Sequence, residues 1–153
     1  MREMAASRER VFETWMRTLP EWWGPRGSRT IAWEIDPRPG GVFRTVLRAA
    51  DGGEFRTRGV FLEVTSPERI VFTDAFDPGW EPHPCVFFTG VASFHAIGAE
   101  RTRLEVRALH WSVEARDEHE RMGFRACWGE MLDRLAARVV AAGSDDRRSM
   151  HGE

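Results

Sequence analysis

Residues 114–142 read EARDEHERMGFRACWGEMLDRLAARVVAA. Phe124, Trp128, Met131, Leu132, Leu135 and Val139 follow one another at intervals of four, three, one, three and four, the stripe of one helical face. Arg125, Asp133, Ala137 and Arg138 fall on the opposite face. The spacing predicts a single long helix, which at about 1.5 Å per residue would span roughly 40 Å. Ser112 is placed to cap it, and Gly143 to stop it. Glu114, Asp117 and Glu118 near the start and Arg134 and Arg138 near the end suit the helix dipole. One helix cannot bury such a stripe by itself. A broad surface must lie under it, and the middle of the chain supplies strands.

Upstream, Ser7 caps a first helix over residues 8–17, with Val11, Phe12 and Trp15 on one face. Thr18-Leu19-Pro20-Glu21 has capping-box spacing for a second, short helix that Gly24-Pro25 ends. Six strands follow. Residues 30–36 alternate Ile31, Trp33 and Ile35 against Ala32 and Glu34; residues 42–49 alternate Phe43, Thr45 and Leu47 against Arg44 and Arg48. Asp51-Gly52-Gly53 marks a hairpin into residues 54–65, with Val60, Leu62 and Val64 on one side. Residues 69–74 form the next strand, and the proline-rich residues 77–84 read as a loop. Residues 85–96 and 101–109 make a last hairpin. In its second arm Leu104, Val106 and Ala108 oppose Arg103, Glu105 and Arg107, one face buried and one wet. A curved antiparallel sheet wrapped round the long helix, an α+β architecture, is the economical packing.

Composition narrows the chemistry. The 153 residues are 42% hydrophobic and 30% charged, as expected of one domain with a real core. The net charge of -2 gives no reason to expect nucleic acid as a partner. The basic residues are all arginine, and Lys, Tyr, Asn and Gln are absent, which excludes a Schiff-base lysine and a tyrosine acid. Cys85 and Cys127 form no disulfide framework. No signal peptide or membrane span is legible, so the cytoplasm is the expected location. Residues 1–143 read as a single domain and residues 144–153 as a polar tail.

Several runs resemble a known family. They are Arg8-Glu9-Arg10-Val11-Phe12, Trp22-Trp23-Gly24-Pro25-Arg26-Gly27, Arg38-Pro39-Gly40-Gly41, and Gly59 with the run from Glu63 through Pro67 to Thr73. Thr102-Arg103-Leu104 and Gly123-Phe124 with Trp128-Gly129-Glu130-Met131-Leu132-Asp133-Arg134-Leu135 complete the set. In this order they resemble the bacterial proteins similar to the activator of the heat-shock-protein-90 ATPase, within the START-like (SRPBCC) helix-grip superfamily. The resemblance implies a seven-stranded sheet gripping the C-terminal helix, with a cavity between them for a small apolar ligand. It also implies a first strand ahead of the first helix, paired beside residues 101–109. Only Met1 to Ala6 precede Ser7, so that strand is expected to be short or missing, leaving an edge that invites a homodimer. The eukaryotic activator carries a separate N-terminal domain not matched here. Cys127 stands where relatives tend to have glycine, which would narrow the cavity or offer it a thiol.

The expected ligand-binding residues are Trp22, Trp23, Phe61, Phe88, Phe94, Phe124, Cys127, Trp128 and Met131, with Arg58, His110 and Glu120 as polar groups that orient the ligand. Arg56 and Arg58 share strand parity with Val60, and His110 with Leu104 and Val106; His119 lies beside Glu120 near the start of the long helix. The same aromatic residues would equally serve as plain core. The first reading is a non-catalytic binding protein for a small hydrophobic molecule or lipid, with no cofactor. A second is a hydrolase or cyclase using a His110–Glu120 pair as acid and base. A third is a chaperone-linked or stress-response interaction module, marked by an exposed apolar patch. His83-Pro84-Cys85 has suitable ligand atoms for zinc but no site spacing, and no metal is expected. Cys127 as a nucleophile would need His110 or His119 beside it and a lowered thiol pKa.

Overall fold

In the computed structural model, which describes residues 1–150 and 152, the chain runs β1 (Arg2–Met4), α1 (Arg8–Arg17), α2 (Leu19–Trp22), β2 (Arg29–Ile35), β3 (Val42–Arg48), β4 (Glu54–Thr65) and β5 (Arg69–Thr73). It continues through β6 (Phe76–Asp77), β7 (Glu81–Pro82), β8 (Thr89–Gly98), β9 (Arg101–Leu109), α3 (Val113–Arg121) and α4 (Phe124–Ser149). Seven strands form one antiparallel sheet in the order β1-β9-β8-β5-β4-β3-β2, and β6 pairs with β7 in a small hairpin. The sheet grips α4, giving the helix-grip fold expected.

The first strand is present but only three residues long. Its Arg2, Glu3 and Met4 pair with Leu104, Arg103 and Thr102 of β9. Among the described residues, no strand pairs with Glu105 to Leu109 on that side. An antiparallel pairing of two copies centred on this open stretch would set Arg107 against Arg107, and like charges directly opposite are unfavourable.

Two expected helices form as read. Ser7 accepts a hydrogen bond from the Arg10 N–H at 3.3 Å, and Val11, Phe12 and Trp15 are buried on one face of α1. Thr18, by contrast, makes no side-chain cap for α2; its hydroxyl donates back to the Thr14 carbonyl at 2.7 Å.

The long helix differs from expectation. It is two helices, α3 and α4, separated at Met122 and Gly123, where Gly123 takes the left-handed conformation with φ 86°. That region is costly for any residue with a Cβ. Nor does the helix stop at Gly143. That residue is buried inside α4, where an added Cβ would lie 2.9 Å from the Arg10 guanidinium. The helix continues to Ser149, and Arg10 of α1 reaches Asp146 at 3.5 Å. His151 and Glu153 of the expected tail lie outside the described residues.

Strand parity breaks at two bulges. β4 shifts register between Phe61 and Glu63, so Phe61 and Val64 share the inner face while Leu62 is exposed; Val60, on the opposite face, is also fully buried. β2 shifts between Thr30 and Ala32, and Trp33 is left 57% exposed. Elsewhere parity holds: Phe43, Thr45 and Leu47 of β3 face the core, as does Leu104 of β9.

Candidate functional site: two chambers with an aromatic wall

β4 outruns its neighbour. Its pairing with β5 begins only at Val60, opposite Thr73, so the half before Gly59 has a partner on the β3 side alone. Residues 74–88 cover that gap. Asp74 fastens them: its carboxylate accepts from the Phe87 N–H at 2.9 and 3.0 Å and from the Phe88 N–H at 3.3 Å. Burial pushes the Asp74 carboxyl above its ordinary range, against the pull of those two N–H groups. Arg58 adds an ion pair to Asp77 at 2.7 Å, and the His83 N–H donates to the Ala75 carbonyl at 2.8 Å. Beneath this cover lies a chamber of about 300 Å³, walled by Trp23, Phe43, Phe72, Phe87 and Phe88. Thr57, Thr73, Asp74 and His83 supply its polar groups, and Arg56 and Arg58 its exposed rim.

Phe72 is the hub of that wall. Its ring stacks on Phe43 at 5.2 Å and lies within 6.1 to 6.4 Å of Trp23, Phe88, Trp15 and Trp128. Gly90, paired beside it on β8, makes this possible. A Cβ on Gly90 would fall 2.2 Å from the Phe72 ring.

A second chamber, of about 490 Å³, lies between β9 and the two C-terminal helices. Val106, Phe124, Trp128 and Leu132 give it an apolar floor, His110 and His119 its inner polar groups, and exposed Glu120 part of its rim. The two chambers are one aromatic ring apart. Phe88, lining the first, has its centroid 4.9 Å from that of His119, lining the second; Trp23 and Trp128 face each other at 5.6 Å.

His110 and His119 are hydrogen-bonded, Nε2 to Nδ1, at 2.8 Å. The helix break contributes to this arrangement. In a continuous helix, residues five apart sit about 140° round the axis from each other. Across Gly123, His119 and Phe124 instead bring their rings to 4.4 Å. Phe87 and Phe88 close the other sides of His119, at 4.4 and 4.9 Å. Burial among these rings pushes the His119 pKa below its ordinary value, and the neighbouring His110 adds to the effect. A histidine held neutral in the fold contributes stability above the unfolded pKa, and this is lost as pH falls through the folded pKa. The unfolding free energy is therefore expected to decline as pH falls from about 7 toward 5. The variant His119→Phe, measured by urea denaturation over that range, is expected to show a flatter profile. An unchanged slope would remove His119 as its source.

The expected site residues divide three ways. Trp23, Arg58 and Phe88 line the first chamber; His110, Glu120, Phe124 and Trp128 line the second. Trp22, Phe61, Phe94 and Met131 are packed in the core, at most 3% exposed. Arg56 and Arg58 pair with Val46 and Arg44, on the face opposite Phe43, so they do not reach inward as parity with Val60 suggested. Glu120 does not join His110. Its carboxylate holds Arg125 at 2.9 Å, and the partner of His110 is His119. The Cys127 thiol lies 3.8 Å from the Met131 sulfur, and burial raises its pKa, the character of a small hydrophobe and not of a nucleophile. His83 Nδ1 is engaged with the backbone of Cys85 at 2.8 Å, and no group of three or more metal-ligating side chains gathers among the described residues. Asp74, Phe72 and Gly90 escaped the sequence reading. Asp74 sits at a strand end before a proline-rich stretch, the one local signal that could have drawn attention to it.

A family model for "Activator of Hsp90 ATPase homolog 1-like protein" matches residues 5–139. Among solved structures, a protein from Nitrosomonas europaea is similar at 28% identity and TM-score 0.87, over 94% of this chain and 93% of that one. An AHSA1-like protein from Aeromonas hydrophila shares the fold at 21% identity and TM-score 0.67, over 93% and 92% of the two chains. An AHSA1 protein from Silicibacter pomeroyi does so at 24% identity and TM-score 0.66, over 92% and 95%. No curated protein matches the chain. Among the described residues, no helix is long and apolar enough to cross a membrane.

Proposed function

Because the chain belongs to the family of proteins like the activator of Hsp90 ATPase homolog 1, whose helix-grip fold it shares, we propose that it binds a small hydrophobic or amphipathic molecule. The apolar part lodges in the first chamber, and residues 1–143 are the binding unit. One observation carries this reading: five aromatic side chains surround about 300 Å³ under a covering segment pinned by Asp74. Ligand sites are typically concave, mostly apolar and supplied with a few polar groups, and this volume lies at the lower end of their range. The ligand is accordingly small, of the size of two or three rings.

The acid–base reading finds less support, since Glu120 is committed to Arg125. The interaction-module reading rests on the exposed side chains of Leu109, Trp111 and Val113, which follow the open stretch of β9. None of the three lines the first chamber, and they do not account for its aromatic-walled volume. A second copy at the β9 edge forms no part of the reading, given the Arg107 clash described above.

The test is a titration with N-phenyl-1-naphthylamine, a neutral two-part aromatic probe whose fluorescence rises in apolar surroundings. Saturable enhancement at one probe per chain, together with the matching mass by native mass spectrometry, is expected. A linear, non-saturating response with no bound species would overturn the reading.

A further inference from the structure

The chain is acidic overall, with a net charge of -2, yet the second chamber gathers the opposite charge. Four arginines line it, Arg2, Arg107, Arg116 and Arg125, against the single carboxylate of Glu120. Two of those arginines have acidic partners that are not part of the lining, Asp133 for Arg2 and Asp117 for Arg116. Among the described residues Arg107, which leaves the open β9 edge at the lip from the outer face of the sheet, has no ion-pair partner.

The histidine pair adds a donor. A neutral imidazole has one N–H and one lone-pair nitrogen. The bond between His110 Nε2 and His119 Nδ1 uses one of each. Whichever ring donates, the other keeps an N–H on its second nitrogen. Neither remaining nitrogen, His110 Nδ1 or His119 Nε2, has a hydrogen-bond partner among the described residues. Behind these groups lies the apolar floor of Phe124, Trp128 and Leu132.

We propose that the second chamber is a binding site of its own for an amphipathic anion, with the carboxylate or phosphate group between the arginines and the spare imidazole N–H and the apolar body against Phe124 and Trp128. Charge-assisted hydrogen bonds are the stronger kind, and arginine favours planar oxyanions. A neutral molecule of the same shape would leave the arginines unmatched. The site therefore discriminates by charge, whereas the first chamber discriminates by apolar fit.

The experiment uses the full chain and two probes of equal length, decanoate and 1-decanol. Binding is followed by NMR at the imidazole signals of His110 and His119. Decanoate is expected to shift them saturably, with 1-decanol at least about tenfold weaker. Arg116→Ala/Arg125→Ala, both on exposed helix surface, is expected to abolish the preference, its melting profile confirming the fold. Glu120→Gln acts in the opposite direction and is expected to tighten decanoate binding. Equal affinity for the two probes, a preference that survives in the double variant, or no shift of either histidine would overturn the proposal. None of these results alters the binding of N-phenyl-1-naphthylamine in the first chamber. Inorganic phosphate separates the two parts of the ligand. Saturation at a far higher concentration than decanoate supports an amphipathic ligand, and saturation at the same concentration would overturn it in favour of a free anion.

Discussion

Trp22→Ala is expected to lower the unfolding free energy by about 3–5 kcal/mol, the usual cost of truncating a fully buried aromatic side chain. Trp22 has no exposed surface. Its ring sits 5.0 Å from Trp15 and 5.8 Å from Trp23, and its indole N–H donates to the Trp15 carbonyl at 3.3 Å. The variant leaves a cavity where α1 and α2 meet the core and also leaves that carbonyl without its donor. Native domains have only about 5–15 kcal/mol in total, so a large share of the stability goes. Urea denaturation followed by tryptophan fluorescence measures this as a fall in the midpoint. A loss below about 1 kcal/mol would mean that the Trp15–Trp22 contact is not core.

Phe88→Ala is expected to do the reverse: to weaken N-phenyl-1-naphthylamine binding by about thirtyfold or more while the protein stays folded. Phe88 is only partly buried, at the end of the covering segment, and its ring forms the partition between the chambers. It contacts Phe72 at 6.1 Å and His119 at 4.9 Å. Truncating a buried aromatic anchor costs binding about 2 kcal/mol or more, which is where thirtyfold arises. The Phe88 backbone N–H still reaches Asp74, so the segment remains fastened. Unchanged affinity would mean that the probe does not touch this wall. The two variants thus separate core from wall among side chains of the same chemistry.

That separation is where the sequence stops being legible. The apolar stripe from Phe124 to Val139 identified the gripped helix, and motif order identified the helix-grip fold. The six residues before Ser7 were enough to anticipate a first strand, short or missing, beside β9. Trp22 and Trp23, however, are adjacent and identical. One ends α2 inside the core; the next has extended backbone, φ -75° and ψ 140°, and swings to the chamber wall. Composition and periodicity carry nothing that distinguishes them. The bulge at Leu62 has no residue signature either, and by shifting parity it puts Val64 on the same inner face as Phe61. Gly123 fits a helical pattern as well as a break; only its left-handed backbone decides, and that break brings His119 against Phe124. Gly90 acquires meaning only once sheet register places the Phe72 ring across it. His110 was read as inward-facing from strand parity, but its partner could be found only once the helix was known to break.

Nuclear Overhauser contacts between N-phenyl-1-naphthylamine and assigned aromatic rings test the central claim most directly. The account predicts contacts from the bound probe to Phe43, Phe72 and Phe88, the walls of the first chamber. Contacts confined to the exposed rings of Trp33, Trp80 or Trp111 would contradict it.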